Sequence, residues 1–354
     1  MSRDLLLDSH KLFYHPERVA DFLAGRRIRP LYAEISPTSV CNHRCLFCNF
    51  NYLGHEVERI PDGRMPTLVD ELGQIGVKAI VFAGAGEPSL HKDTFPAVRR
   101  AVEQGIDVAM STNGALLKDD QIEEMARNLV WVRFSVNGGT PESYAASQGT
   151  RADDWEKALS SLERLARRRD ALGSRVTIGS QCVLIPENKD GIFDLARRLK
   201  ACGANYFSIK HFYPHEDNPY KPDMSFLTDE FVERLKELAA ELTDDNFKLF
   251  VRDPEKLARE RPYTVCHGLP FIIYLRENGR LYTCFSHQDD ERTAVGSFLE
   301  QDLVSLWESP GQERALAHIN AAYDKNLCQA NCRHHQINLF LEQLSHVPAH
   351  VNFI

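Results

Sequence analysis

The fold of this 354-residue chain is decided by the stretch Cys41-Asn42-His43-Arg44-Cys45-Leu46-Phe47-Cys48. It places three thiols in one short loop directly after residues 31–35, an apolar run that is typical of a strand. Thiolates are soft ligands suited to iron–sulfur clusters or zinc. Three of them can hold three irons of a four-iron cluster and leave the fourth iron open, whereas structural zinc needs a fourth ligand. His43 is poorly placed to supply that ligand, so the spacing favours a cluster.

Working outward from this loop, short apolar runs alternate with amphipathic stretches from about residue 31 to residue 210. The expected strands are 31–35, 78–83, 107–111, 130–136, 176–184 and 206–209, with helices expected at 64–75, 93–103, 119–127, 154–168 and 191–200. Strand–helix alternation with short loops implies parallel strands and right-handed crossovers. Six such units indicate the α/β class, as a partial (β/α)6 TIM-like barrel.

Glycines and polar residues stand where the expected strands end. These motifs are 84–88, 111–114, 135–139 and 210–211. In a parallel barrel the functional residues lie at the C-terminal ends of the strands. The positions of the motifs therefore predict one site at that end of the barrel.

The pattern of the chain changes from about residue 262. Two apolar runs, 271–275 and 280–284, flank Glu277-Asn278-Gly279 and predict a hairpin. Helices are expected at 303–307, 312–323 and 333–344. The domain hypothesis is an N-terminal extension at 1–30, a barrel core at 31–225, a helical connector at 226–261 and a small C-terminal auxiliary-cluster domain at 262–354.

Composition limits the function classes. The formal net charge of −8 argues against nucleic acid as the main partner, which would favour a basic face. No secretory signal opens the chain, and no run approaches the roughly 18 apolar residues of a membrane span. We therefore expect a cytoplasmic protein with no membrane partner. In the cytosol nine cysteines are more often ligands or core residues than disulfides.

The C-x3-C-x2-C spacing resembles the signature of the radical S-adenosylmethionine (SAM) superfamily. Phe47 is the aromatic residue that commonly precedes the third cysteine, and Ala83-Gly84-Ala85-Gly86-Glu87-Pro88 resembles the superfamily's Gly-Gly-Glu-Pro motif, with Ala85 intervening. The resemblance implies that Cys41, Cys45 and Cys48 hold a [4Fe-4S] cluster. It also implies that Gly84, Gly86 and Glu87 bind the methionine amino group of SAM.

Further cofactor contacts are implied at the next two strand ends. In the superfamily, polar residues at such positions contact the ribose or carboxylate of SAM. The matching residues here are Ser111, Asn113, Ser135 and Asn137. Simple turn chemistry is the alternative, because Asn-Gly is a strong turn pair.

A second cysteine group occupies the C-terminal part of the chain. It consists of Cys266, Cys284, Cys328 and Cys332, with Gly279 five residues before Cys284. This arrangement resembles the auxiliary-cluster extensions called SPASM and twitch, and four thiolates can fully ligate a second [4Fe-4S] cluster. Zinc in the same thiolates, replacement of one ligand by His334 or His335, and unliganded core cysteines remain alternatives.

The resemblance implies that SAM is cleaved to a 5′-deoxyadenosyl radical, which abstracts hydrogen from a small-molecule substrate. A fully ligated second cluster suggests net oxidation, and an external one-electron donor such as flavodoxin or ferredoxin is implied. The chain also resembles radical SAM proteins of carbohydrate gene clusters, which implies carbohydrate biosynthesis on a sugar or nucleotide-sugar. Candidate catalytic residues are Lys210, His211, Tyr213 and Cys182. Gln181 and Arg133 are further side chains that could point inward.

Three alternative functions stay open at this point. The first is a peptide-modifying maturase of the SPASM type, although only about forty residues precede Cys41, too few for the usual peptide-recognition domain. The second is a redox-neutral epimerase or lyase. The third is a non-catalytic iron–sulfur or zinc protein, which would produce no 5′-deoxyadenosine.

Overall fold

The computed structural model describes residues 10–54, 56–213, 215, 217–252 and 261–353. Parts of the expected N-terminal extension (1–9) and of the expected connector (253–260) lie outside the described residues. Within the described part of the chain, no helix is both long and apolar enough to cross a membrane.

One mixed sheet organises the molecule. Its strands are β1 (Tyr32–Ile35), β2 (Ala79–Phe82), β3 (Asp107–Thr112), β4 (Trp131–Ser135), β5 (Thr177–Leu184), β6 (Tyr206–His211), β7 (Lys248–Val251), β8 (Ile272–Leu275), β9 (Arg280–Tyr282) and β10 (Ala294–Ser297). The strand order is β10-β9-β8-β1-β2-β3-β4-β5-β6-β7. All neighbours from β1 to β7 are parallel. The predicted α/β fold with a parallel barrel core is thus confirmed.

Helices connect the strands and cover the outside of the sheet. They are α1 (Pro16–Leu23), α2 (Arg64–Gln74), α3 (Thr94–Glu103), α4 (Asp119–Asn128), α5 (Pro141–Gln148), α6 (Asp153–Leu172), α7 (Ile192–Ala201), α8 (Asp229–Leu242), α9 (Leu303–Glu308), α10 (Pro310–Ala322) and α11 (His334–Ser345). The longest, α6, has three acidic residues in its first turn and ends at Gly173, whose φ of 59° suits a glycine cap.

The predicted C-terminal hairpin is present and continues the barrel sheet. Strands β8 and β9 pair antiparallel around the turn at Gly279, which has a φ of 83°. Strand β8 also pairs with β1 in parallel, so the hairpin extends the sheet beyond its first strand. At the other edge β7, which the sequence did not predict, pairs with β6. The second cysteine group is therefore attached to the barrel through shared backbone hydrogen bonds.

The two faces of the barrel strands have different roles. On β5, Ile178, Cys182 and Leu184 lie in the apolar core under the helices, whereas Gln181 and Val183 line a cavity inside the barrel. Side chains alternate between the two faces of a strand, so this division follows from the strand itself. The interior of the barrel is consequently the more polar side, and it is where a site can form.

Candidate active site

The cysteine loop after β1 is tied to its neighbours by backbone and side-chain hydrogen bonds. The amides of Arg44 and Leu46 donate to the carbonyls of Gln148 (2.9 Å) and Ser147 (3.0 Å) at the end of α5. The Nδ2 atom of Asn51 donates to the Cys45 and Leu46 carbonyls, both at 3.1 Å. These bonds fix a loop that has no regular secondary structure of its own.

All three thiols of the loop line one cavity of about 280 Å³. Burial raises the pKa of Cys41 to about 11, and it also raises the pKa of Cys45 and Cys48. Negative charge on Cys48 or Cys41 raises the pKa of Cys45 further, which shows that the thiols are neighbours. Three adjacent soft donors at the wall of one cavity fit a cluster that keeps one iron open.

The loop at 84–87 approaches the cysteine loop so closely that its glycines cannot be replaced. Gly84 has a φ of 139°, and a Cβ there would lie 2.9 Å from the Cα of Ser36 and overlap its side chain. A Cβ on Gly86 would overlap the carbonyl oxygens of Thr38 and Val40. Only glycine allows this contact between the two loops.

Glu87 is buried, with 3% of its surface exposed, and both of its carboxylate oxygens are engaged. One oxygen accepts from the amide (3.1 Å) and hydroxyl (2.8 Å) of Ser89 and from the Thr112 hydroxyl (2.7 Å). The other accepts from the Asn113 amide at 2.7 Å. Burial raises the pKa of Glu87, and these hydrogen bonds act against that shift. The carboxylate therefore fastens the glycine loop to the end of β3, and direct contact with SAM stays a prediction.

Four of the other predicted cofactor residues line the same cavity: Phe47, Ser111, Asn113 and Ser135. The Nδ2 atom of Asn113 donates to Oδ1 of Asn42 at 2.8 Å, which joins the end of β3 to the cysteine loop. Asn137 is placed differently. It is buried, its Oδ1 accepts from the Val183 amide at 2.7 Å, and it is absent from the described cavity wall. Its side chain therefore joins two strand ends, and its assignment as a cofactor contact stays a prediction.

Three of the four candidate catalytic residues also lie at the cavity. Lys210, His211 and Tyr213 line it at the end of β6. The His211 Nε2 atom is 2.6 Å from the Arg252 carbonyl oxygen, and the His211 ring packs edge-on against Tyr213. Cys182, in contrast, has 0% exposure and faces the core under the helices. Its placement at the substrate is therefore corrected by the alternation of side chains along β5.

Several cavity residues were not predicted from the sequence. The most informative is Gln148 at the end of α5, whose Nε2 atom lies 3.0 Å from Nδ1 of His43. Burial lowers the pKa of His43 to about 4, although Asp154, 3.6 Å away, acts in the opposite direction. Asn49, Phe285, Asn331 and Arg333 were missed too. The start of α5 at Thr140-Pro141 is a recognisable capping signal that could have located Gln148.

The second group of thiols is brought together from separate segments. Burial raises the pKa of Cys284 well above its usual range, and charge on Cys332, Cys266 or Cys328 raises it further. The four thiols are therefore close enough to act on one another electrostatically, and Cys266 packs in the same small cluster as Cys284. In the described part of the chain, no three His, Cys, Asp or Glu side chains are placed to share a single metal ion. In a four-iron cluster each thiolate binds a different iron, and four thiols fit that ligand set.

Polar contacts hold the second group in position. The Asn338 Nδ2 atom donates to Sγ of Cys266 at 3.2 Å, and its Oδ1 accepts from the Gly268 amide at 2.7 Å. Arg261 donates to the carbonyls of Cys328 (3.2 Å) and Gln329 (2.6 Å). His334 and His335 are both buried next to this group.

A second cavity of about 340 Å³ lies between the two cysteine groups. Cys332 belongs to its wall, and it shares six wall residues with the first cavity: Asn49, Arg133, Lys210, Phe285, Asn331 and Arg333. The two cavities therefore adjoin each other, the first at the cysteine loop and the second at Cys332 of the second thiol group.

Comparison with known proteins identifies the barrel. Residues 35–199 match the family model described as the Radical SAM superfamily. The chain is 28% identical over 189 residues to the tungsten-containing aldehyde ferredoxin oxidoreductase cofactor-modifying protein of Pyrococcus furiosus. This alignment covers 52% of this chain and 51% of that protein. It is 26% identical over 277 residues to an S-adenosylmethionine-dependent nucleotide dehydratase of Selenomonas ruminantium. This alignment covers 77% of this chain and 91% of the dehydratase. The chain spans about half the length of several of the curated relatives it matches.

The fold of the whole described chain also matches a solved structure. Streptococcus suis SuiB bound to S-adenosylmethionine superposes with a TM-score of 0.66 at 17% identity, over 95% of this chain and 79% of that one. Identity at this level shows the fold and nothing about the substrate. The match includes the region of the second cysteine group as well as the barrel.

Proposed function

Because residues 35–199 match the Radical SAM superfamily model, we propose that the protein is an enzyme of that superfamily, which cleaves SAM and abstracts hydrogen from a small polar substrate. The substrate class that we propose is a carbohydrate or a nucleotide-sugar, with net oxidation through an auxiliary cluster. A cytoplasmic location, a role in carbohydrate biosynthesis, and reduction by a flavodoxin or ferredoxin are parts of the same proposal.

The observation that carries this proposal is the convergence of two loops and two strand ends on one cavity. The thiols of the loop at 41–48, the glycine loop at 84–87 and the polar ends of β3 and β4 all line it. A metal site that only stabilises the fold needs ligands for the metal and no cavity beside them. A cavity beside the thiols provides space for a second molecule, as cofactor chemistry requires.

The roles of individual residues follow from their positions. Cys41, Cys45 and Cys48 would hold a [4Fe-4S] cluster, which together with SAM supplies a 5′-deoxyadenosyl radical when both are bound. With SAM and substrate bound, the barrel wall would shield the cavity from water and so protect reactive species from side reactions. Lys210 and Tyr213 line the same cavity as the cysteine loop, where they would bind and orient the substrate.

The proposed oxidation rests on the second thiol group. Removal of a hydrogen atom followed by one electron is a two-electron oxidation, and the electron needs an acceptor. Cys266, Cys284, Cys328 and Cys332 would hold an auxiliary [4Fe-4S] cluster, and Cys332 lies at the wall of the second cavity. Metal analysis distinguishes an iron–sulfur cluster from zinc in the same thiolates. The distinction decides the proposed oxidation, because zinc cannot accept an electron.

Two relatives that align over most of their length support the substrate class. Besides the nucleotide dehydratase, a probable GTP 3′,8-cyclase of Thermococcus kodakarensis is 24% identical over 280 residues and is covered to 87%. Both names refer to nucleotide substrates. The polar wall formed by Ser111, Gln181 and Lys210 is consistent with a substrate rich in hydroxyl groups.

Anaerobic reconstitution with iron and sulfide tests the proposal. The protein is treated with dithionite and SAM, iron and zinc are counted, and 5′-deoxyadenosine is measured with and without a panel of nucleotide-sugars. About eight irons per chain and 5′-deoxyadenosine production are expected. A nucleotide-sugar that increases 5′-deoxyadenosine formation would support the substrate class.

Cys202→Ala is the matched control for cysteine loss, because Cys202 is buried at the end of α7 and belongs to neither thiol group. It should load iron and cleave SAM like the natural protein. Zinc in the C-terminal thiolates would refute the oxidation. Failure of every nucleotide-sugar, with stimulation by peptides instead, would replace the substrate class by the maturase alternative.

A further inference from the structure

The second cavity, between the two thiol groups, has a cationic wall. Arg133, Lys210, Arg252 and Arg333 line it, and no Asp or Glu occurs among its described wall residues. The chain as a whole has a formal charge of −8. The positive charge of this wall therefore does not follow from the charge of the whole chain, and its cause must be sought among the groups at the cavity.

Arg133 is the central residue of this wall. It projects from β4, inside the barrel, where its Nη2 atom donates to the Ser111 hydroxyl at 2.8 Å. Its Nε atom is buried and has no hydrogen-bond partner among the described residues. Burial lowers the pKa of Arg133, which reflects the cost of keeping its charge away from water.

Among the described residues, no carboxylate forms an ion pair with Arg133. The charged or ionisable groups acting on it are Tyr206, Arg333, Tyr32 and Glu34. Glu34 is engaged by Arg333, which also donates to the Tyr32 hydroxyl at 3.2 Å. A guanidinium that is buried without a counter-ion costs folding free energy, and a bound anion would offset that cost.

One aromatic ring lies next to the guanidinium, and others line the same cavity. The Arg133 side chain lies 5.7 Å from the ring centre of Trp131, which stands on the same face of β4 and lines the same cavity. Tyr274 and Phe285 form other parts of that wall. A cation next to ring faces suits a ligand that carries an acidic group on a ring-shaped body.

We propose that Arg133 binds an acidic group of the substrate, a phosphate or a carboxylate, in the cavity between the two thiol groups. The proposal deepens the proposed function and rests on it. Arg133 lines both cavities, so an acidic group held there leaves the rest of the substrate in the first cavity, next to the cysteine loop. The substrate class thereby narrows to sugar phosphates, nucleotide-sugars or sugar acids.

Isothermal titration of the anaerobic, reconstituted protein with SAM present tests this assignment. The probes are glucose 1-phosphate, glucuronate and the uncharged methyl glucoside, and the first two separate phosphate from carboxylate. We expect at least one acidic probe to bind and the glucoside not to bind. Arg133→Gln should weaken the acidic probe about tenfold or more, because a charge-assisted, forked contact is lost. Arg133→Lys should restore part of the affinity, since it keeps the charge without the fork.

Arg151→Gln is the matched control, because Arg151 is exposed and pairs with Asp153 on the outside of the barrel. Iron content reports whether each variant is folded and loaded. The assignment is overturned if neither acidic probe binds, or if Arg133→Gln binds the acidic probe as tightly as the natural protein does. It is also overturned if SAM affinity falls by the same factor, since Arg133 would then serve the cofactor. Substrate-free 5′-deoxyadenosine production by the natural protein reports separately on the proposed function.

Discussion

The two cysteine groups differ in how the chain brings their thiols together. The first occupies one loop, Cys41 to Cys48, and neighbouring backbone holds that loop in place. The second collects thiols from positions 266, 284, 328 and 332, which lie on both sides of the hairpin and before α11. Local sequence therefore determines the first group, whereas the tertiary fold determines the second.

This difference indicates where each group is vulnerable. The first depends on close contacts with the loop at 84–87, where a single added methyl group cannot fit. The second depends on polar side chains that are distant in sequence from the cysteines they contact, such as Asn338 on α11, which donates to the Cys266 sulfur. Substitutions at these supporting positions can break one site and spare the other.

The largest effect is expected for Gly86→Ala. The new Cβ would overlap the Thr38 and Val40 carbonyl oxygens and push the glycine loop away from the cysteine loop. SAM cleavage should fall about 100-fold or more, because clashes with backbone cannot be relieved by side-chain rotation. The assay is 5′-deoxyadenosine production, with iron counted in the same sample.

Gly105→Ala is the control for this change, since a Cβ there meets nothing within 4 Å. It should cleave SAM within about twofold of the natural protein, with only a small loss of stability from its positive φ. Normal cleavage by Gly86→Ala would show that the two loops do not need their close contact.

A smaller effect on the same site is expected for Glu87→Gln. An amide nitrogen would replace one of the two oxygens that accept from Ser89, Thr112 and Asn113. At least one buried donor would then lose its acceptor, at a cost of about 1–3 kcal/mol. We expect SAM affinity to weaken about tenfold in equilibrium binding, with iron in the second group unaffected.

The exposed Glu300 provides the control substitution, Glu300→Gln, which should change neither SAM affinity nor iron content. If Glu87→Gln bound SAM normally, the carboxylate would not be needed to fix the glycine loop.

The second group is addressed by Asn338→Leu, which keeps the volume but removes the hydrogen bond to the Cys266 sulfur. Hydrogen bonds to cluster sulfurs help to set the reduction potential, because they stabilise the more negatively charged reduced form. The potential of the auxiliary cluster should become more negative, and that of the first cluster should stay unchanged. Potentiometric titration followed by electron paramagnetic resonance measures both.

Gln336→Leu, at an exposed position of the same helix, controls for the added apolar surface. Equal potentials in Asn338→Leu and the natural protein would mean that Asn338 has no influence on a cluster in the second group.

The smallest effect concerns acid stability near the second group. Burial lowers the pKa of His287 to about 4, and the His287 ring stacks on Tyr323 at 3.6 Å. Between pH 4 and the usual value near 6.5, the unfolded chain binds the extra proton more readily. The contribution of neutral, buried His287 to the free energy of unfolding is therefore complete above about pH 6.5 and is lost as the pH falls toward 4.

His287→Phe keeps the ring stack and removes the titration. Both proteins should lose unfolding free energy between pH 7 and pH 4. The loss should be smaller by about 1–2 kcal/mol in His287→Phe than in the natural protein. Denaturant titrations at the two pH values give this difference. Identical pH dependence of the two proteins would exclude His287 as a source of acid sensitivity.

Much of the fold and the first site followed from the sequence because both are local. Each of the six expected barrel strands was an apolar run next to a turn, and the cysteine loop followed the first of them. Strand β7 (Lys248–Val251) was missed because it lies within residues 226–261, which were assigned to a helical connector. Helix α5 was missed because Pro141–Gln148 has no regular apolar face, although Gln148 reaches the cavity.

The remaining errors concern the direction of side chains. Cys182 lies on a barrel strand, as expected, but its side chain points to the outer core. The role of Arg333 was also not readable from its position after Cys332. It depends on Glu34 of β1, which is 299 residues away in sequence. Such pairings exist only after the chain has folded.

The most direct test of the central claim is the triple variant in which Cys41, Cys45 and Cys48 are all replaced by alanine. If the first group cleaves SAM and the second holds a separate cluster, the reconstituted variant should produce no 5′-deoxyadenosine and still retain about four irons per chain. Undiminished SAM cleavage by this variant would contradict the assignment of the cysteine loop, and retention of zinc without iron would contradict the assignment of the second group.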